Sequence, residues 1–196
     1  TITEPGHSKA RTFGYSLANS VIDAFNENSF VPSPDPTITF SALEVELGIE
    51  NFMLSLGTLL GVVDSSPKFH LTPPFIRYLS EVAFIQLGDA TITGIPGELY
   101  PEIAVGGIES PKGADFAIEP QEVPPLRGQL PGKLNLMVNL ANDAIGYIIP
   151  KSEWDKDAPW IYDEAEETYG EVVSLGPNTA PIIHQTVIKL AEESKP

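Results

Sequence analysis

Two β-rich runs, 81–87 and 90–95, meet at Leu87-Gly88-Asp89-Ala90, and this constrains the fold more than any other stretch. Runs rich in β-branched and aromatic residues, separated by two turn residues, form a hairpin. Pro96 then ends the second strand, because proline has no amide to give a ladder. Gly97 lets the backbone turn, and Glu98 is expected to open a short helix over 98–105. There the aligned backbone dipole favours an ionised carboxylate. A second strand end, Asn142-Asp143-Ala144-Ile145-Gly146-Tyr147, follows a strand expected over 133–141. Strand ends gather the polar site residues of α/β folds. A carboxylate from one and a phenol from the other can meet at a single metal ion or substrate.

The remaining elements frame this pair. Residues 8–26 have apolar positions at helical spacing, with Ser8 as the expected N-cap. Residues 32–36 carry three prolines and break the chain. Residues 37–50 alternate as a strand, but Ile38, Phe40 and Ala42 are out of phase with Leu43, Val45, Leu47 and Ile49, which predicts a bulge or two shorter strands. Periodicity leaves 52–63 open between helix and strand. Strand 133–141 is expected to bury Leu134, Leu136 and Val138 on one face. Residues 106–132, with five prolines, form a long loop of the kind that is usually functional or mobile. Residues 179–193 read as a helix with Pro181 in its first turn. No repeat or change of composition divides the chain. The expectation is one unit over 1–196, α/β in class (α+β as the alternative), with a mixed sheet and flanking helices, and part of a larger catalytic domain.

Charge narrows the function classes. There are 27 Asp and Glu against 11 Lys and Arg, a formal net charge of −16. That balance disfavours nucleic acid and anionic lipid surfaces, and draws metal ions and cationic partners. With no cysteine there is no thiolate site, no disulfide and no Cys nucleophile. These residues contain no stretch that reads as a signal peptide or a membrane span, and the expectation is that any targeting segment lies upstream of them; the apolar run 52–63 is too short and too interrupted to cross a bilayer. The chain starts at Thr1, which is read as a cleaved or trimmed product. An N-terminal threonine can itself be a nucleophile, but residues 1–6 carry nothing else toward that role.

Four stretches together resemble the neutral (alkaline, non-lysosomal) ceramidase family, in its bacterial branch. They are Leu87-Gly88-Asp89 through Ile95-Pro96-Gly97-Glu98; Leu140 through Pro150 around Asn142-Asp143-Ala144-Ile145-Gly146-Tyr147; Tyr169-Gly170-Glu171; and Gly176-Pro177-Asn178-Thr179. The match covers the C-terminal part of that family's catalytic domain. The resemblance implies a zinc ion held by two histidines, a glutamate and a tyrosine, beside a serine, and hydrolysis of the amide of N-acyl sphingolipid-like substrates. By motif position Glu98 and Tyr147 are the implied metal ligands, with Tyr147 also catalytic, and Gly97, Asn142 and Asp143 bind substrate or support the ligands. The histidine pair and the serine belong to an N-terminal half, or a cleaved companion chain, that these residues do not include. His7, His70 and His184 sit in no such motif. The loop 106–132 and the acidic tract 151–171 depart from the family pattern. A secreted or periplasmic location is the family expectation.

Plainer readings stand beside these. Glu98 can be a helix-start carboxylate satisfying backbone donors, and Tyr147 a core tyrosine. Asn142-Asp143 is a natural turn pair. Asp163, Glu164, Glu166 and Glu167 lack calcium-loop spacing and read as a solvated loop. Trp154, Trp160, Tyr162 and Tyr169 can line an apolar entrance or pack in the core. His184 is expected at or near the surface. The alternatives to an incomplete zinc amidase are a non-catalytic interaction module of the same fold, or a metal hydrolase of a non-lipid substrate.

Overall fold

The hairpin forms as expected and organises the larger of two units. A computed structural model describes residues 6–27, 37–63 and 67–194; Thr1 and the break at 32–36 lie outside them. The residues divide into units 1–36 and 37–196. In the first, helix α1 (His7–Asn26) starts from Gly6 with no side-chain cap. Ser8 is therefore not the cap; it sits in the first turn, where its carbonyl accepts from the Thr12 hydroxyl at 3.0 Å. None of the helix is buried within its unit. Phe13, Leu17, Val21 and Phe25 recur every four residues, which makes an exposed apolar stripe.

In the second unit, β1 (Ile38–Gly48), α2 (Phe52–Leu59), β2 (Lys68–Phe69), β3 (Ile76–Leu87) and β4 (Ala90–Gly94) come first. They are followed by β5 (Glu98–Leu99), α3 (Pro101–Val105), β6 (Leu134–Val138), β7 (Tyr147–Ile148), α4 (Tyr169–Val172) and α5 (Thr179–Glu193). The large sheet runs β1-β3-β4-β6, with β2 also on β3. Its β1–β3 and β3–β4 pairs are antiparallel and β4–β6 is parallel, so the sheet is mixed and the class is α/β. The parallel pair needs a long crossover, which α3 and the 106–132 loop provide.

No bulge interrupts β1: every residue from Ile38 to Gly48 has a partner on β3. The change of phase has another cause. Leu43, Val45 and Leu47 face inward, whereas Ile38, Phe40 and Ala42 face outward, so the strand is apolar on a different side in each half. Inward, Val45, Leu47, Val82 and Phe84 join Ile183, Val187 and Leu190 of α5 in one buried cluster. Each such side chain contributes about 1.5–3 kcal/mol on burial. The expectation for β6 is overturned: Leu134, Leu136 and Val138 are 46–56% exposed. Its inward residues are Asn135 and Met137. Met137 packs on the core, and the Asn135 amide donates to the carbonyls of Arg127 and Leu130.

Within segment 52–63, Phe52–Leu59 is a helix and the rest is turn and loop. Asn51 caps it, accepting from the amides of Met53 and Leu54 at 3.0 and 3.2 Å. The same side chain donates to the carbonyls of Val172 and Ser174, tying α2 to the end of α4 and the residues that follow it. His184 is not a surface residue. It is 4% exposed, with Nε2 2.9 Å from the Pro124 carbonyl. No described helix is long and apolar enough to cross a membrane.

Candidate functional site

The two strand ends singled out in the sequence are joined directly. β5 and β7 pair in parallel, with Glu98 opposite Tyr147 and Leu99 opposite Ile148. The Glu98 amide donates to Gly146 O at 3.0 Å, and the Tyr100 amide to Ile148 O at 3.1 Å. Ile145 N to Pro96 O and Ala141 N to Ile95 O, both 2.9 Å, extend the seam. Residues opposite each other in a ladder project to one face, so the carboxylate and the phenol leave the backbone side by side.

Two glycines make this approach possible. A Cβ on Gly97 would collide with the Gly146 carbonyl oxygen, and one on Gly146 with the Val173 carbonyl oxygen. Gly146 also has φ +86°, a conformation L side chains rarely adopt. Gly97 is buried at this seam, where it acts by its lack of a side chain.

Glu98 does not open a helix. It lies in β5; Tyr100 is the cap of α3 and Pro101 its first residue. Proline is favoured at a first helical position, which sets the helix start three residues later than expected. The dipole contribution at Glu98 falls away with it.

Glu98 and Tyr147 line the same cavity, of about 540 Å3, together with Tyr78, Asp143 and Tyr169. Ile49, Leu54, Leu140, Ile145 and Leu175 make its apolar wall. The Tyr147 ring is held edge-on between Tyr100 at 6.2 Å and Tyr169 at 5.9 Å. Among the described residues, neither the Glu98 carboxylate nor the Tyr147 hydroxyl makes a hydrogen bond. Three donors hold Asp143: Tyr78 Oη at 2.9 Å, Ser80 Oγ at 2.8 Å and the Ala144 amide at 2.8 Å. Asn142 turns away from the cavity. It has φ +70° and donates to Glu81 Oε1 at 3.1 Å, so the 142–143 pair forms a turn that points one member inward. Sequence reasoning missed Tyr78 and Ser80. Their spacing of two on a strand, both on the inward face, was the available signal.

A second cavity of about 510 Å3 lies against Tyr100, Glu153, Tyr162 and Glu171. Here the acidic tract departs from a purely solvated loop. Asp155 is fully buried and Glu171 is 3% exposed. Asp155 accepts from the Ile161 amide at 2.9 Å, and Glu171 from the Asp155 amide at 3.3 Å and the Thr168 hydroxyl. Burial raises the carboxyls of Glu153 and Glu171 above the ordinary value. Burial, then the negative charge of Glu171, pushes the Tyr100 phenol up to about 12. The Tyr162 phenol rises to about 12 as well, first through its 2.6 Å hydrogen bond to Glu109. Trp154 is 4% exposed and belongs to the core, while Tyr169 is 70% exposed at the mouth of the first cavity. Asp163, Glu164, Glu166 and Glu167 are exposed, as a solvated loop should be.

Among the described residues no group of three or more histidines, cysteines or carboxylates is placed to hold a metal. Glu98 with Tyr147 is a two-donor set of hard oxygens, which fits part of a zinc site and not the whole of one. No protein-family description, curated protein or solved structure matches this chain.

Proposed function

We propose that this chain is one part of a zinc-dependent amide hydrolase resembling the neutral ceramidases, and that Glu98 and Tyr147 supply two of its metal contacts. The supporting observation is the β5–β7 register. It sets these two side chains opposite each other, lining one cavity, with no hydrogen bond engaging either oxygen. Catalytic zinc sites use nitrogen and oxygen ligands and keep a position open. The two histidines and the serine would come from a companion polypeptide, either an N-terminal half or a cleaved chain. When bound, zinc acidifies a water and polarises a carbonyl.

The chain's own residues do the remaining work. Tyr147 sits where its hydroxyl can ligate or donate to a developing oxyanion, and the Tyr100 and Tyr169 rings fix its orientation. Tyr78 and Ser80 hold Asp143 at the cavity wall, so a substrate meets a positioned acceptor. The apolar lining suits the acyl chain of an N-acyl lipid.

Zinc content of the full-length gene product tests this. Wild-type protein is expected to carry one bound zinc and to cleave an N-acyl amide. Glu98→Ala should lose the metal without loss of fold, and Tyr147→Phe should lose activity. Undiminished zinc in Glu98→Ala sinks the ligand assignment. A full-length protein with no metal at all favours the non-catalytic module.

A further inference from the structure

We propose that the outward face of the large sheet seats the companion polypeptide through an apolar layer flanked by basic residues. This rests on the reading of the chain as one part of a larger hydrolase. It begins from three registered rows across β1, β3, β4 and β6. The first is Ile38–Leu87–Ala90–Leu134, the second Phe40–Ile85–Ile92–Leu136, the third Ala42–Ala83–Gly94–Val138. None of these positions is polar, and all but Ala83, which is 5% exposed, are exposed or half-buried. Phe40 is 65% exposed, Leu134 56% and Leu136 46%. At strand and residue spacings this is on the order of 400 Å2, as large as the biggest apolar patch on a typical monomer. A sheet with one face on its core normally turns polar residues outward; this one turns Ile, Leu, Val and Phe.

Charge at one end of the face selects the occupant. The row beyond Ala42–Ala83 is Glu44 opposite Glu81. Like charges directly opposite are destabilising, and among the described residues no ion pair relieves either one. The nearby cations Lys68 and Arg77 attend Glu46 instead, as does the His70 ring. A second copy of this chain would bring a further Glu44–Glu81 pair and another −16 of charge. A layer with Lys or Arg over this end would neutralise it. The same end leads to the candidate site. Two residues beyond Val138, Leu140 lines the cavity of Glu98 and Tyr147. A polypeptide seated here therefore ends at the cavity mouth, where further donors are needed.

Leu136 replaced by a photo-crosslinking benzoylphenylalanine in the full-length protein tests the seat. Mapping should find the cross-link in a Lys- or Arg-flanked apolar segment of the histidine-bearing region. Links to a second copy of residues 37–194, to lipid, or to nothing overturn the proposal. Phe40→Asp is the companion measurement. In the 196-residue chain it loses only its cross-strand contact with Ile85, so the Tm of that chain should fall by at most about 4 °C, while the full assembly drops by about twice that or more, because a charge is then buried against an apolar layer. An equal drop in the 196-residue chain means that the face is already covered from within, and also overturns it. An assembly that cross-links as expected yet binds no zinc defeats the hydrolase reading alone. A zinc-binding assembly that cross-links elsewhere defeats the seat alone.

Discussion

Gly146→Ala is the sharpest perturbation of the candidate site, because two separate penalties fall on one methyl group. The first is conformational. At φ +86° an alanine is strained, which costs about 1–2 kcal/mol. The second is steric. The new Cβ would overlap the Val173 carbonyl oxygen, a backbone atom that cannot rotate aside. Overpacking of this kind costs about 1–3 kcal/mol. Gly107→Ala separates the two. Gly107 also has a positive φ, +106°, but no atom lies within 4 Å of its Cβ position. It should register strain alone. For a unit of this size 1 kcal/mol corresponds to about 2–4 °C in Tm. Calorimetry should therefore find Gly146→Ala lower than Gly107→Ala by about 2–12 °C. Near-equal Tm values would show that the β5–β7 seam is not held against residue 173, and the proposed alignment of Glu98 with Tyr147 would lose its physical basis.

Asp143→Ala should destabilise the chain by about 2 kcal/mol in urea denaturation, because the buried Ser80 hydroxyl loses its acceptor; Asp143→Asn, which keeps an acceptor oxygen, should lose less. Stability should also fall as pH rises through a window that opens at 4.5. Glu153 and Glu171 hold their protons more tightly folded than unfolded, so within that window the native state binds more protons. Thermal melts should give a higher Tm at the acidic end of the window than at neutral pH, and Glu171→Gln should flatten the profile. An unaltered profile in that variant would show that the burial of Glu171 is not felt thermodynamically.

Where local rules suffice, sequence and structure agree. The turn at Gly88-Asp89, the helix over 179–193 and the strand end at Pro96 each depend on residues within a few positions of one another. Expectations failed where a local signal had a competitor. Glu98 looked like a helix start because it follows the Pro96-Gly97 break, but Pro101 begins the helix. Ser8 looked like a cap, although Gly6 already occupied that place. Tyr78 and Ser80 went unnoticed because their partner, Asp143, lies more than sixty residues away.

From the sequence alone came the α/β class, the punctuation of the chain, and the two strand ends that could carry a site. Alternation also showed that Leu134, Leu136 and Val138 share a side. Only the tertiary structure decided which side is covered, because alternation has a period and no inside. Likewise it alone set Glu98 against Tyr147, and sank Asp155 and Glu171 below the surface of an acidic tract. Both outcomes depend on contacts between distant segments, and those contacts exist only once the whole sheet and α5 have closed on each other.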